Sequence, residues 1–249
     1  MVHPEIQLLE PVTEPMCAST QSTDFEFAAL EEAKNYRRAL LDEFAPHLHG
    51  HVLEVGAGVG QLTAELLRQP RIAELISIEP EDGYCSRLRE RFENHNVHHG
   101  TVADLHSDTH WNAIVSVNVL EHIETDQEEL NTYCQLLRPA QGALCLFVPA
   151  RPELYAPIDK DFGHFRRYKR LELRRKLEAA GFEILKLRYY NSVGYFAWWL
   201  GFCVLRNRGF SPVSVRLFDR AIFPLVHGFE SRISPPPFGQ SLLAISIAR

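Results

Sequence analysis

The sequence lacks any apolar run long enough to cross a membrane as a helix. Its longest uncharged stretch, residues 189–205, has seventeen residues and contains Asn191 and two glycines, whereas a spanning helix needs about 20 apolar residues. Residues 1–23 lack the basic segment and the apolar segment of a signal peptide. The five cysteines are odd in number and include no C-x-x-C pair. This pattern argues against a disulfide framework and a cysteine zinc site, and it favours a cytoplasmic protein.

An excess of positive charge is missing as well. The chain has 26 Lys and Arg residues against 32 Asp and Glu residues, a net charge of −6. This balance does not favour a general nucleic-acid binder, so no nucleic-acid partner is expected. The hydrophobic fraction of 45% is typical of a globular chain that buries a core. The predicted organisation is a flexible N-terminal arm at 1–23 and a single domain at 24–249.

What the sequence does contain is an alternation of strand-like and helix-like segments. Helical connections of roughly ten to fifteen residues between strands are typical of βαβ units, and they predict an α/β fold with a parallel sheet covered on both faces. A long connection before the last strand, at about 192–233, is predicted to be an apolar helical insertion. Strands are predicted at 51–55, 74–78, 97–103, 113–118, 143–148, 182–189 and 241–248, and a helix is predicted at 61–69, after the first strand.

A glycine-rich turn follows the first predicted strand, in the run Glu54-Val-Gly56-Ala-Gly58-Val-Gly60. Glycines there permit a tight turn and a close approach of a ligand to the backbone. A dinucleotide fingerprint would need glycine at position 61, where this chain has Gln61. A nicotinamide-dependent oxidoreductase is therefore the less favoured alternative. Glu79 and Asp104 end the next two strands, and an ionised carboxylate at such a position can accept both hydroxyls of a ribose.

Five motifs in order give the chain a resemblance to class I S-adenosylmethionine-dependent methyltransferases, over roughly residues 24–191 and the final strand. The motifs are VLEVGAGVGQLT (52–63), SIEP (77–80), VADL (102–105), NVLEHI (118–123) and LLRPAQGALCLFVPA (136–150). The resemblance implies a Rossmann-like fold with a seven-stranded, mostly parallel sheet of order 3-2-1-4-5-7-6. Its seventh strand would be antiparallel, and helices would cover both faces.

The same resemblance implies S-adenosylmethionine as the cofactor. Gly56, Ala57 and Gly58 would lie against its methionine part, in a turn that also includes Glu54 and Gly60. Glu79 would hold the ribose, with Pro80 beside the adenine. Asp104 and the backbone of Leu105 would bind the adenine, and Asn118 would lie near the sulfonium.

Catalytic residues are harder to predict, because a sulfonium carries its own activation and a base is needed only for a protonated acceptor. His122 is one candidate. The pair Glu121-His122 resembles part of the metal site of ubiquinone-pathway O-methyltransferases, but Val119 stands where their first carboxylate is, so no metal is expected. His164 and Tyr168 are further candidates, from the run DKDFGHFRRY (159–168), which resembles a D-x-x-G-H-x-R-R-Y run in a branch of the family. Alternatively, these residues only line the pocket or begin a helix.

The acceptor is predicted to be a small or lipid-like molecule, methylated at O or N. Arg166 and Arg167 could bind a carboxylate or phosphate on it. In the insertion, Phe196, Trp198 and Trp199 could form an apolar acceptor wall or contact a membrane peripherally, although plain packing is an equal alternative. A non-methylating transfer or cyclisation that uses the same cofactor also stays open, and the sequence leaves the oligomeric state undetermined.

Overall fold

The computed structural model describes residues 31–105, 110–209, 211–232 and 236–249. Within them a seven-stranded sheet has the order β3-β2-β1-β4-β5-β7-β6, which confirms the predicted topology. β7 pairs antiparallel with both β5 and β6, and the other pairs are parallel. The strands are β1 (Gly50–Val55), β2 (Ile72–Glu79), β3 (Asn96–His99), β4 (Ala113–Val117), β5 (Ala143–Pro149), β6 (Phe182–Tyr190) and β7 (Ser241–Ala248).

Helices cover both faces of this sheet, as the resemblance implies. On one face, α4 and α6 bury Leu130, Tyr133 and Leu173 against β4, β5 and β7. On the other, α1 and α9 bury Phe44 and Phe223 in a second core. The helices are α1 (Lys34–Phe44), α2 (Thr63–Leu66), α3 (Asp82–Arg91), α4 (Asp126–Leu137), α5 (Pro157–Asp161), α6 (Arg170–Ala180), α7 (Ser192–Trp198), α8 (Pro212–Leu217) and α9 (Phe223–Arg232).

Two predicted elements are shorter than the sequence indicated. The helix expected over 61–69 is confined to α2. The strand expected at 97–103 ends at His99, because Thr101 begins a single 3₁₀ turn over Val102–Asp104 in which Asp104 accepts hydrogen bonds from the Thr101 N–H and hydroxyl. Residues 1–23, predicted as a flexible arm, lie outside the described residues.

The sheet order also brings the carboxyl ends of β1, β2 and β4 together, where open α/β sheets bind ligands.

The helical insertion lies between β6 and β7 and has two helical stretches. α7 continues into a π-helical segment, Trp199–Val204, and α8 continues through a second one, Phe218–Ile222, into α9. The buried Asp219 side chain accepts hydrogen bonds from two backbone N–H groups at the start of α1, so it ties the insertion to the first helix. No helix among the described residues is long and apolar enough to cross a membrane.

Candidate active site

The turn after β1 has the backbone geometry that its glycines permit. Gly56, Gly58 and Gly60 all have positive φ, at 70°, 54° and 81°. A Cβ added at Gly56 would lie 2.4 Å from Cγ2 of Val119, so a side chain at this position would clash as well as strain the backbone. The Gly56 N–H donates to the Ile78 carbonyl at 2.9 Å. The turn is therefore held against the end of β2 and packed under the segment that follows β4.

Glu79 lies beside this turn at the end of β2. Its Oε2 accepts a hydrogen bond from the Gly58 N–H at 2.8 Å, and its Oε1 accepts one from the Glu81 N–H at 3.1 Å. Burial raises the pKa of this carboxyl, although the two backbone donors oppose the effect. A carboxylate offers about four acceptor positions, so Glu79 retains the capacity to accept ribose hydroxyls. The residues present therefore fit the nucleoside part of the cofactor that the resemblance implies.

Residues at the end of β3 extend the same edge of the sheet. A Cβ at Gly100 would lie 2.7 Å from Oδ2 of Asp104, and the Gly100 N–H donates to the Glu79 carbonyl. Asp104 and Pro80 are exposed and Leu105 is half-buried. The hydrogen bonds from Thr101 lower the pKa of Asp104. The candidate adenine-binding residues thus lie next to the candidate ribose-binding residue.

Glu54, also expected at the cofactor, is almost fully buried at the end of β1. Its Oε2 accepts hydrogen bonds from Thr63 at the start of α2 and from Ser77 in β2, at 2.7 and 2.5 Å. Burial, opposed in part by these hydrogen bonds, raises its pKa to about 7. In this position Glu54 links β1, β2 and α2 around the glycine turn.

The raised pKa of Glu54 predicts a pH dependence of stability. Because the folded-state pKa of about 7 exceeds the unfolded value of 4.5, the contribution of Glu54 is fully present below pH 4.5 and is lost as the pH rises through 7. The shift corresponds to about 3 kcal/mol in the free energy of unfolding. Glu54→Gln should flatten the decline between pH 4.5 and 8 in urea denaturation, whereas Glu74→Gln, at an exposed carboxylate, should leave it unchanged. Equal slopes for wild type and Glu54→Gln would contradict this expectation.

A cavity of about 580 Å³ lies at the carboxyl ends of β4 and β5. Of the residues predicted to bind the cofactor, Asn118, which has a positive φ of 53°, lines it, whereas the glycine turn, Glu79 and Asp104 do not. Its walls come from α1, from the segment after β5 and from both stretches of the insertion. The apolar lining includes Tyr36, Phe147, Phe162, Trp198, Phe202, Phe218 and Ile222, and the polar lining includes Glu121, His164, Arg167 and Asn191.

His164 and Arg167 share one buried carboxylate, Asp159. The ring Nδ1 of His164 lies 3.0 Å from Asp159 Oδ1, and the Arg167 Nε–H donates to the same oxygen at 2.8 Å. Burial would raise the pKa of Asp159, but these hydrogen bonds and the Arg167 charge outweigh it and lower the pKa. The guanidinium also lies over the ring of Trp198, 4.3 Å from its centroid. Asp159 therefore fixes the orientation of two candidate residues in the cavity wall.

His122 lies next to His164, with ring centroids 4.6 Å apart. Desolvation and the neighbouring His164 lower the pKa of His122 to about 4, so its ring is neutral near pH 7. Together with the buried Glu121, the two histidines form a group whose potential ligand atoms all lie within 4.8 Å of one another. The sequence suggested Glu121 and His122 as neighbours, but it gave no reason to join His164 to them.

Other candidate residues lie outside the cavity lining. Tyr168 is fully buried, and its hydroxyl shares its one proton between Asp126 Oδ2, at 2.9 Å, and the Leu120 carbonyl, at 3.2 Å. Arg166 pairs with Asp126 and donates to the Glu124 carbonyl. Phe196 and Trp199 are about half exposed, whereas their neighbour Trp198 is buried, lines the cavity and donates to the Leu154 carbonyl. Tyr168 and Arg166 thus support the loop that carries His164 rather than facing the cavity.

Sequence reasoning did not assign a role to Asp159 or Asn191. Asn191 follows β6 and precedes α7, in a left-handed conformation with φ 61°, and it is 3% exposed. Its side chain accepts from the Gly194 N–H and donates to Gln240. Glu230 of α9 accepts from the Asn191 and Ser192 N–H groups, and this contact holds the two stretches of the insertion together. For Asn191, the only signal in the sequence was a polar residue within an uncharged, apolar segment.

Comparison with known proteins agrees with this geometry. Residues 29–187 match the family described as "Methyltransferase domain". A protein of Staphylococcus carnosus described as "Uncharacterized methyltransferase" is 32% identical over 89 residues, which span 36% of this chain and 42% of that protein. The chain therefore matches less than half the length of this relative.

Solved structures share the fold. One is the complex between the Haloferax volcanii Trm112 methyltransferase activator and a methyltransferase; the match covers 93% of this chain and 95% of the matched chain, at 15% identity and a TM-score of 0.60. Another is a TehB-like SAM-dependent methyltransferase from Corynebacterium glutamicum; the match covers 93% of this chain and 98% of that chain, at 15% identity and a TM-score of 0.56. A third is an S-adenosylmethionine-dependent methyltransferase from Mesorhizobium loti; the match covers 84% of this chain and 96% of that chain, at 15% identity and a TM-score of 0.56. With the family match over most of its length, this chain belongs to the methyltransferase domain family.

Proposed function

We propose that this protein transfers a methyl group from S-adenosylmethionine to an oxygen or nitrogen atom of a lipid-like acceptor at a membrane surface. The observation that carries the proposal is the cavity described above, which is walled mainly by apolar side chains and lies between the two stretches of the insertion. Family membership supports methyl transfer, and the resemblance of the five motifs supports the cofactor.

The cofactor is proposed to lie across the ends of β1, β2 and β4. The glycine turn at 56–58 would contact its methionine part, Glu79 its ribose, and Pro80, Asp104 and Leu105 its adenine. Asn118 would lie between the cofactor and the cavity. Glu54 is proposed to act indirectly, because its carboxylate is engaged by Thr63 and Ser77.

When bound, S-adenosylmethionine supplies a methyl group that its sulfonium has already activated. The residues of the chain therefore have to bind, orient and desolvate the acceptor so that its nucleophile lies in line with the methyl group. His164, oriented by Asp159, lies in the cavity wall where it could take a proton from the acceptor. Arg167, in the same wall, could receive an anionic group of the acceptor.

The outer surface of the insertion supports a lipid-like acceptor. Its two stretches expose apolar side chains, among them Phe196, Trp199, Leu200, Val204, Val213, Leu217, Leu225 and Phe229. Residues 192–232 contain five arginines and two acidic residues, and both acids, Asp219 and Glu230, are buried. Arg208 and Arg216 pair with Asp161 and Glu32 outside the insertion, whereas Arg206 and Arg220 are also exposed. An apolar surface with such basic residues in an otherwise acidic chain fits an anionic lipid surface. Lipid-like acceptors could then enter the cavity from the membrane.

Vesicle binding tests this proposal. Leu225 and Phe229 are exposed by 77% and 61%, and burying two such side chains in lipid is worth several kcal/mol. We expect the double variant Leu225→Glu/Phe229→Glu to bind vesicles of phosphatidylcholine and phosphatidylglycerol at least about tenfold more weakly than wild type. Leu171→Glu, at a similarly exposed leucine on α6, should bind as wild type does. S-adenosylhomocysteine affinity, measured by calorimetry, should be the same in all three proteins.

Transfer of tritium from methyl-labelled S-adenosylmethionine into a lipid extract tests the reaction itself. Label in the organic phase, together with S-adenosylhomocysteine as the co-product, is the expected result. Methylthioadenosine as the co-product would instead support the non-methylating alternative, and label confined to water-soluble products would contradict a lipid-like acceptor.

A cytoplasmic location is part of this proposal, and the four described cysteines, all free thiols, fit a reducing compartment.

A further inference from the structure

We propose that Glu121, His122 and His164 bind a divalent first-row transition-metal ion at the inner end of the cavity. Glu121 and His122 come from the turn after β4, whereas His164 comes from the loop after α5. Chain segments that are about forty residues apart thus bring one carboxylate and two imidazoles together. This combination of nitrogen and oxygen ligands suits Zn²⁺ or a similar ion better than Mg²⁺ or Ca²⁺, which prefer oxygen alone.

The buried ring of His164 points to a ligand. His164 is 8% exposed, and its Nε2 has no hydrogen-bond partner among the described residues. This nitrogen is directed at Glu121 and lies 4.0 Å from its Oε1. A buried polar atom without a hydrogen bond carries a desolvation cost, and coordination to an ion would offset that cost.

The neighbouring carboxylate favours the tautomer that a metal ligand needs. Asp159 is an acceptor, so in a neutral His164 ring the proton lies on Nδ1 and the lone pair lies on Nε2, where an ion would bind. A carboxylate that holds the far nitrogen of a ligand histidine is a common feature of metal sites, where it orients the ring and raises its basicity. Arg167 is paired with the same carboxylate, so its positive charge is balanced beside the proposed ion.

The backbone also holds the two segments together. The Phe165 N–H donates to the Glu121 carbonyl at 2.8 Å, and the Tyr155 hydroxyl donates to the His164 carbonyl at 2.6 Å. Ligand atoms of a tetrahedral zinc site are roughly 3.3 Å apart, given metal–ligand distances near 2.0 Å. The present spacing of up to 4.8 Å would close by small side-chain rotations. Open coordination positions would face the cavity, which Glu121 and His164 both line.

The role of such an ion rests on the proposed methyl transfer, although its binding does not. With its Nε2 bound to the ion, His164 would not itself take the proton of the acceptor. The ion would instead bind an acceptor hydroxyl and lower its pKa, so that the hydroxyl releases its proton to water. The resulting oxygen attacks the methyl carbon; the O–C bond forms, the C–S bond breaks, and its electron pair remains on sulfur. The products are a methyl ether, S-adenosylhomocysteine and the proton already released. The inference therefore narrows the acceptor to a hydroxyl-bearing molecule.

Metal binding to the untagged, chelator-treated full chain tests the site without reference to activity. We expect one equivalent of Zn²⁺ by calorimetry, and Co²⁺ should give visible absorption bands typical of low coordination number. His164→Ala and His122→Ala should each weaken Zn²⁺ binding by at least about tenfold. His51→Ala removes an exposed histidine at the start of β1, outside the group, and should bind as wild type does.

The outcomes separate this inference from the proposed function. His122 is the most exposed of the three ligands, so His122→Ala serves if His164→Ala fails to fold. S-adenosylhomocysteine binding serves as the check of folding in every variant. Intact cofactor binding without Zn²⁺ or Co²⁺ binding in the wild type would overturn the metal site and leave the proposed methyl transfer standing. Metal binding that neither variant weakens would overturn the assignment of the ligands.

Discussion

Gly56→Ala is expected to weaken S-adenosylhomocysteine binding by about tenfold or more. The φ of 70° at this position costs a residue with a Cβ about 1–2 kcal/mol, and the new methyl group would lie 2.4 Å from Val119. The turn can relieve both effects only by changing its conformation, and its N–H groups would then no longer present the same surface to the cofactor. Calorimetric titration of the folded variant measures the change.

A double variant separates the two causes. Val119→Ala removes both Cγ atoms that crowd the new Cβ, so Gly56→Ala/Val119→Ala should recover the part of the affinity lost to the clash, while the part lost to backbone strain remains. Val119→Ala alone, away from the left-handed turn itself, is the matched control. Binding by Gly56→Ala within about twofold of wild type would show that this turn does not contact the cofactor as proposed.

Among the single substitutions considered for this protein, Asp159→Asn is expected to lower the free energy of unfolding the most. Asp159 is fully buried and holds the buried Arg167 and His164, and it also accepts from the Ala156 N–H. An asparagine leaves the arginine charge without its counter-charge, and removing one partner of a buried pair costs about 3–5 kcal/mol. For a domain of this size, the melting temperature should fall by about 10 °C. Differential scanning calorimetry measures this change.

The control variant lies on the same helix. Asp161 pairs with the exposed Arg208, and exposed ion pairs contribute at most about 1 kcal/mol, so Asp161→Asn should change the melting temperature by only a few degrees. Adding Arg167→Met to Asp159→Asn removes the stranded charge and should restore part of the stability. If Asp159→Asn and Asp161→Asn had equal effects, Asp159 would not hold the cavity wall together.

The sheet could be predicted because its signals are local. Each buried strand is a short apolar run, and five motifs in sequence order indicated how the runs are arranged. β7 was predicted with the limits that the structure has, Ser241–Ala248. The same local signals placed Glu79 at the end of β2, where the structure has it. Asp104, predicted at the end of β3, lies instead in the 3₁₀ turn after that strand, and the Gly100 N–H at the start of this connection donates to the Glu79 carbonyl.

The cavity wall could not be predicted in the same way. The contact between His164 and Glu121 joins two segments through a loop whose path no periodicity encodes. Tyr168 and Arg166 lie in the same short run as His164, yet they point to Asp126 on α4, because a loop without regular geometry sends neighbouring side chains in different directions. Sequence spacing indicates a shared face only within a helix or a strand.

The position of β7 has a consequence for how the sheet assembles during synthesis. Among the described strands, β6 pairs with β7 alone, although residues 191–240, including the insertion, are translated between them. β6 therefore leaves the ribosome without a partner and must wait until the insertion has been made and β7 has paired with β5. The closing of this long loop carries an entropic cost. The strands that form the candidate cofactor site, β1, β2 and β4, can pair before that step, so the cofactor side of the protein can form earlier than the acceptor side.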